Sequence, residues 1–362
     1  MNVCRKTILV AGGAGYIGSH TVVELLNAGY RVVVIDNLSN AQQNPEDDDD
    51  LPPSLVRAKK ITGKECLHFV KENICDIEKL NVVFDTYNID AVFDFSGRKA
   101  VGESTVLPML YYKYNINGTM NLLKCMRQHE VRDFLFSSSC TVYGAPDQES
   151  LPIKEEDSSG CCHCPYAKCK YFIECLLDDL AKGEPDYWRI MVMRYFNPVG
   201  AHESGLMGED PKGDPLNLLP KLAQVATGKR AILDVYGEDY DTKDGSPIRD
   251  YVHVMDVAEA HVKAVKHFQE KYVSTSGIEI YNIGSGRGKS TWEMVKAFEA
   301  ACGKPIQFRV CQRRPGDVPA IYCDPSKAER QLGWKAERSL QEMCEDLWRF
   351  YVLNPNGYEE SN

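Results

Sequence analysis

An α/β fold, a doubly wound parallel sheet with a smaller, interleaved α/β domain, follows from three features of this 362-residue chain. A short apolar run, Thr7–Ala11, leads directly into Gly12-Gly13-Ala14-Gly15-Tyr16-Ile17-Gly18 and then a helical pattern over residues 19–28. Strand-like runs at 31–35, 91–96, 133–138 and 190–195 alternate with helical segments. That alternation predicts a parallel sheet covered on both faces. Beyond Asn197 the pattern loosens into Gly-, Asp- and Pro-rich stretches, 202–215 and 237–247. Such stretches suit binding loops on a second domain.

Each element has its reason. Gly12 lets the chain turn sharply out of the first strand. Gly15 lets the backbone approach a pyrophosphate closely, and Gly18 lets the helix pack tightly on the sheet. The free N–H groups at the helix start face the phosphates. This is a Rossmann-type signature, with glycines spaced Gly-x-x-Gly-x-x-Gly. The second run ends at Asp36, where a carboxylate binds a ribose 2′-hydroxyl and repels a 2′-phosphate, so NAD is expected rather than NADP. A glycine-rich turn with no ligand is the bland alternative. Residues 42–53, with Asp47 to Asp50 between prolines, read as a solvated loop insertion. Residues 252–268 read as a helix rejoining the first domain. The expected organisation is a dinucleotide-binding domain over 1–198 with a returning segment near 251–270, a second domain over 199–350, and a tail over 351–362.

Composition excludes several classes. Hydrophobic content of 43% and aromatic content of 10% suit a full core. A net charge of −10 argues against nucleic acid or a membrane surface as partner. No apolar stretch is long enough to cross a bilayer. The N-terminus runs through Arg5-Lys6 into a strand and does not read as a signal peptide. A cytoplasmic protein with 14 reduced cysteines is the expectation. Cys161-Cys162-His163-Cys164 lacks the two-residue gaps of structural zinc sites. An incidental thiol-rich loop is the first reading, with zinc binding and redox sensing as alternatives; no metal is expected. The sequon Asn117-Gly118-Thr119 should be unused in a cytosolic chain.

Ser137-Ser138-Ser139 and Tyr166-Ala167-Lys168-Cys169-Lys170 carry the chemistry. A serine, a tyrosine and a lysine four residues on form the proton-handling kit of a large nicotinamide-dependent class. Either signal alone is weak; downstream of a dinucleotide turn the two reinforce each other.

With these motifs in view, the chain resembles the UDP-glucose 4-epimerase family of the extended short-chain dehydrogenases/reductases, from about residue 7 to 357. The markers are AGGAGYIGSHTV, IDNLSNA, KAVGES, FSSSCTVYG, YAKCKYFIE, RYFNPVGAH, GLMGEDPKG, IRDYVHVMDVA, YNIGSG, RRPGDVPA and MCEDLWRF. The resemblance implies reversible, NAD-dependent interconversion of UDP-galactose and UDP-glucose through a 4-keto sugar. Tyr166 would remove the 4-hydroxyl proton. An ordinary tyrosine pKa near 10 is too high for that, so Lys170 and the positive nicotinamide are expected to lower it. Ser139 would bond the 4-oxygen.

Further roles follow from the resemblance alone. Gly12, Gly15, Tyr16, Ile17, Gly18, Asp36, Asn37, Asn40, Asn73, Ile74, Phe95, Gly97, Lys99, Asn115, Ser137, Tyr166, Lys170 and Tyr195 would line the cofactor. Lys99, Ser139, Tyr166, Asn197, Asn217, Leu218, Tyr236, Arg249, Arg314, Asp317 and Ile321 would line the UDP-sugar. Two arginines suit a diphosphate because the guanidinium fork bonds it bidentately. At the position of Ile321 the family carries a bulky Tyr to exclude N-acetylated sugars or a small Cys to admit them; Ile implies UDP-galactose as the better substrate and slower turnover of UDP-N-acetylgalactosamine. A homodimer, paired through two helices of the NAD domain, is implied as well. Asn73, Asp94, Ser96, Cys140, Ala167 and Leu216 depart from the usual Asp, His, Ala, Ala, Gly and Asn, and Asp94 would be costly in a buried strand unless paired. The alternatives are a non-catalytic NAD or UDP-sugar sensor, and a decarboxylase or dehydratase of the same fold.

Overall fold

The computed structural model describes residues 6–43, 51–270, 277–314 and 316–358. Residues 47–50 of the expected acidic loop, and the end of the expected tail, lie outside them. The chain begins with β1 (Thr7–Ala11), α1 (Tyr16–Asn27), β2 (Arg31–Asp36), α2 (Pro53–Thr62), β3 (Leu67–Lys71), α3 (Ile77–Thr86) and β4 (Ala91–Asp94). It continues with α4 (Val101–Val106), α5 (Pro108–Tyr111), a π-helical turn (Tyr112–Asn117), α6 (Gly118–Gln128), β5 (Asp133–Ser139), α7 (Pro165–Gly183) and β6 (Arg189–Tyr195). Then come β7 (Asn197–Val199), α8 (Leu218–Ala226), β8 (Leu233–Tyr236), β9 (Ile248–His253), α9 (Val254–Glu270) and β10 (Gly277–Ile283). The last elements are β11 (Gly288–Ser290), α10 (Thr291–Cys302), β12 (Phe308–Cys311), β13 (Ala320–Ile321), α11 (Ser326–Leu332) and α12 (Leu340–Leu353).

Seven strands form one sheet in the order β10-β6-β5-β4-β1-β2-β3. The ladders from β6 through to β3 are all parallel. Strands β1, β4 and β5 are buried along their whole length, as a sheet with helices on both faces requires. The order reverses between β1 and β4, so the carboxyl ends of these strands form the topological switch point where such sheets take ligands. One face is closed by a core of Leu9, Val33, Val92, Phe134 and Val192 with Leu122, Ile173 and Leu177.

Two compact units make up the chain, and neither is continuous. The first comprises Met1–Gly144, Ser158–Tyr195 and Ala258–Tyr281; the second comprises Ala145–Asp157, Phe196–Val257 and Asn282–Asn362. The second unit has its own core, where Leu219, Leu222, Phe298, Met343 and Leu347 bring α8, α10 and α12 together with Val235 of β8. Its sheets are small: β11-β9-β13 with β7 on β9, and a β12-β8 pair.

Differences from the sequence reading have local causes. The run 91–96 stops pairing at Asp94 because the Ser96 N–H donates to Asp94 Oδ1 at 2.9 Å. The helix expected from 252 starts at Val254, since Val252 and His253 pair with Pro198 and Val199. Among the described residues no helix is long and apolar enough to cross a membrane. The expectation that every thiol is reduced needs one correction: Cys66, ahead of β3, is disulfide-bonded. Twelve other cysteines are free.

Candidate active site

The glycine turn has the geometry its sequence implies. Gly12 has φ +76°, and a Cβ there would lie 2.8 Å from the Phe95 carbonyl carbon at the end of β4. A Cβ on Gly18 would meet the Gly12 oxygen at 2.5 Å, so α1 could not pack as it does. Gly15 is the N-cap of α1 and supplies no side-chain hydrogen bond. The first N–H groups of α1 therefore lack a capping side chain, as a phosphate-binding helix start requires. Asp36, closing β2, accepts from the Ala14 N–H (3.1 Å) and the Leu38 N–H (2.9 Å). One carboxylate thus fixes the glycine turn while standing where a ribose would be held.

Other expected cofactor residues gather along the carboxyl edge of the sheet. Asn115 is buried, and its Oδ1 accepts from the Arg98 N–H at 2.8 Å while its Nδ2 donates to the Arg98 carbonyl. It braces the turn at Gly97, where φ is +104° and a Cβ would meet Asn115 Oδ1 at 2.8 Å. Phe95 lies against the His261 ring, and the buried Tyr195 hydroxyl meets His261 Nε2 at 2.7 Å. Tyr16 packs edge-on to His20; Ile17 is half-buried beside it. Asn73 Oδ1 accepts from the Cys75 N–H, and Ile74 is buried next to Gly118. Asn37, Asn40 and Lys99 are exposed.

Ser139, Tyr166 and Lys170 are brought together. Ser139 ends β5 and its hydroxyl bonds the Tyr166 phenol. Cys164 caps α7, its Sγ accepting from the Ala167 N–H, so the cysteine loop ends by launching the helix that carries Tyr166 and Lys170. One turn along α7 from Tyr166, the buried Lys170 donates from Nζ to the Ser137 carbonyl at 2.6 Å. Burial pulls the Lys170 ammonium down to about 8, against a smaller upward pull from Asp94. Burial pushes Tyr166 up to about 12, opposed by the Ser139 hydrogen bond. In the protein alone, burial sets the direction of the phenol's shift; the expected lowering involves the positive nicotinamide as well as Lys170.

Sequence reasoning missed the group behind this trio. Arg194 of β6 grips Glu174 of α7 through two bonds (Nε–Oε1 3.1 Å, Nη2–Oε2 2.6 Å) and donates to the Tyr143 hydroxyl at 2.8 Å. Ser138 donates to the same Glu174. All four side chains are buried. The only signal was the acidic residue in YAKCKYFIE, one helical turn beyond Lys170 and so on the same face.

The expected sugar-nucleotide residues lie in the second unit. Arg249 pairs with Asp317 Oδ1. Arg314 donates to Asp317 Oδ2 at 3.2 and 3.0 Å and lies 5.1 Å from the Tyr236 ring centroid. Ile321 is buried and pairs in register with Arg249. Asn197 opens β7, level with Tyr251 of β9. Asn217 caps the start of α8 at Leu218, and its Nδ2 donates to Glu209. Asp317, expected at a ribose, thus also holds both guanidiniums in place. Tyr240, which sequence reasoning passed over, is buried against Arg313 at 4.2 Å.

A phosphate-ready turn, an acid closing β2 and a converged Ser–Tyr–Lys trio define a dinucleotide-dependent chain of the extended short-chain dehydrogenase type. A family model described as GDP-mannose 4,6 dehydratase matches residues 9–347. The chain is 49% identical to the UDP-glucose 4-epimerase of Drosophila melanogaster over 97% of this chain and 98% of that one. It is 48% identical to the human UDP-glucose 4-epimerase over 98% of each chain. The crystal structure of UDP-glucose 4-epimerase from Bifidobacterium longum in complex with NAD+ and UDP superposes with a TM-score of 0.89, at 46% identity, covering 97% of this chain and 99% of that one. The chain belongs to the UDP-glucose 4-epimerase family.

Proposed function

We propose that the protein interconverts UDP-galactose and UDP-glucose, carrying NAD as a resident cofactor. The observation that carries this reading is the convergence of Ser139, Tyr166 and Lys170 beside the switch point of the sheet. NAD, when bound, supplies the oxidant that takes the C4 hydride and returns it to the other face. Gly12, Gly15, Gly18 and Asp36 hold the dinucleotide, with Tyr16, Ile17, Asn37, Asn40, Asn73, Ile74, Phe95, Gly97, Lys99, Asn115, Ser137 and Tyr195 along its length. The absence of a side-chain cap on α1 and the space kept by Gly12 and Gly18 support that fit.

Tyr166 takes the 4-hydroxyl proton and gives it back. Ser139 bonds the 4-oxygen and the phenol together. Lys170, tied to the Ser137 carbonyl, keeps positive charge on the phenol's side of the site, which favours the phenolate. Arg249 and Arg314 bind the diphosphate, Asp317 the uridine ribose and Tyr236 the uracil face, with Asn197, Asn217 and Leu218 around the sugar nucleotide. The dehydratase description covers a broad family; relatives matching this chain end to end carry the epimerase name. The test is product analysis of purified protein with UDP-galactose. UDP-glucose without net cofactor reduction supports the reading; a 4-keto-6-deoxy or decarboxylated product overturns it.

The chain also pairs with a second copy in this reading. Phe172 on the outer face of α7 is 47% exposed, and Val106 and Met109 are each 76% exposed on neighbouring α4 and α5. Exposed apolar side chains clustered this way mark an interaction surface. Light scattering should give twice the chain mass, and Met109→Glu with Phe172→Glu should halve it. The twelve free thiols favour a cytoplasmic setting, with the disulfide at Cys66 as the exception.

A further inference from the structure

Asp94 is the one carboxylate at the carboxyl end of the central strands that the mechanism above does not use. It ends β4 at the switch point and is 1% exposed. Its Oδ1 accepts from the Ser96 N–H and hydroxyl, and its Oδ2 accepts from Thr119 Oγ1 at 2.7 Å. Three donors on one buried carboxylate are an arrangement for an anion.

The sheet register places that anion. Asp94 is paired with Phe136 of β5. Side chains at paired positions leave the same face of a sheet, about 5 Å apart. Lys170 Nζ stands 4.7 Å from the Phe136 ring centroid. The carboxylate and the ammonium therefore share one face, acting on each other through a poorly solvated space rather than by contact.

We propose that Asp94 is a positioning residue for the reaction: it is the buried counter-charge that keeps Lys170 an ammonium beside Tyr166. The proposal rests on the epimerase reading, since only there does the charge of Lys170 matter to turnover. The logic is an opposition. Burial disfavours the charged lysine, and a nearby anion in low dielectric restores it. The other groups facing the pair are few. Tyr195 of β6 and Cys75 before α3 feel Asp94, and Glu174 and Cys169 of α7 feel Lys170. Arg194 already occupies Glu174 through two bonds, whereas Asp94 is held by neutral donors only. Burial pushes the Asp94 carboxyl up, and the Ser96 hydrogen bond, the Lys170 charge and the Thr119 hydrogen bond oppose it in favour of the anion.

The test compares the parent with Asp94→Asn, which keeps the shape, and with Ser96→Ala, which removes one donor and keeps the carboxylate. In the cofactor-free proteins, trace acetic anhydride would label Lys170 across a pH series, and the labelling midpoint would be read by peptide mass spectrometry. The alkaline limb of the epimerisation rate would be measured in parallel. Asp94→Asn should move both the midpoint and the limb to lower pH by at least about half a pH unit. Ser96→Ala should move them in the same direction by less. Unmoved midpoints in both variants, with only a lower melting temperature, overturn the proposal. If Asp94→Asn does not fold, the Ser96→Ala midpoint decides alone. A parent that labels as expected but does not epimerise would sink the functional reading and leave the charge pairing standing.

Discussion

The sheet edge of the first unit, where Lys170 and Asp94 lie, and the arginine cluster of the second handle charge in opposite ways. At the sheet edge, Lys170, Asp94, Glu174 and Arg194 are all within a few per cent of complete burial. There burial governs Lys170 and Asp94, while Glu174 holds Arg194 charged, so each buried charge needs a specific partner. In the second unit, Arg314 is more than half exposed and shares Asp317 with Arg249. There water screens Arg314, while Arg249 and Asp317 are 15% and 13% exposed and hold each other in place. Proton transfer needs the first arrangement, because a pKa can be tuned only where water is scarce. Gripping a diphosphate needs the second, because a fixed charge must be reachable.

Substitutions would sharpen or break that contrast. The largest effect belongs to Tyr166→Phe, which deletes only the hydroxyl: turnover should fall by about 10²–10⁴-fold with the melting temperature unchanged. Near-parental turnover would remove Tyr166 from the chemistry. Glu174→Ala leaves Arg194 buried without its partner, and chemical denaturation should show a loss of about 3–5 kcal/mol. A loss below 1 kcal/mol would show that water reaches this pair and that the two regions are not so different.

Lys170 gives the comparison a pH signature. Its pKa is lowered from 10.5 to about 8 in the folded protein. Between those values the unfolded chain binds the proton and the folded chain does not, so stability rises with pH. Below about pH 8 both states are protonated and the full cost of the buried charge is present, roughly 3 kcal/mol at most. The cofactor-free parent should therefore gain stability from pH 8 toward 10, and Lys170→Met should lack that gain while losing activity. A flat difference between the two curves would place Lys170 in contact with solvent.

Smaller effects are expected in the second unit. Arg314→Ala should cost about 1.5–3 kcal/mol in substrate binding, seen as a higher KM with kcat nearly kept and with a weaker dependence on salt. A fall in kcat alone would assign Arg314 to the chemical step. The mildest change is at Ile321. Ile321→Tyr should suppress turnover of UDP-N-acetylgalactosamine relative to UDP-galactose, and Ile321→Cys should raise it, by roughly 1–3 kcal/mol across the series. An unmoved ratio of the two substrates in competition would show that the pocket is gated elsewhere.

The two regions also differed in how far the sequence disclosed them. In the first unit, a buried parallel strand is a run of apolar residues, so β1 was legible to the residue. The edge strand β3, where only Leu67 of Leu67–Lys71 is buried, offered no such run. The glycines were legible because backbone crowding at Gly12 and Gly18 admits no other residue. Glu174 and Arg194 were not, because a residue's partner 20 positions away leaves no local trace. In the second unit the strands are two to six residues long, too short for a period to show. Asp94 was visible as an oddity, yet its satisfaction by Thr119, 25 residues on, could be seen only in three dimensions.

The stretch 145–157 has a consequence for how the molecule comes into being. Ile153 bridges to Cys323, and both the Ile153 carbonyl and the Glu155 carboxylate are claimed by Asn282. A ribosome delivers these partners in order, so the early stretch must wait while well over a hundred further residues are made. The newborn chain carries an unfinished second unit through most of its synthesis, when exposed segments invite aggregation. Cutting the message short anywhere before codon 323 should therefore yield a product that is cleared rather than a smaller working protein.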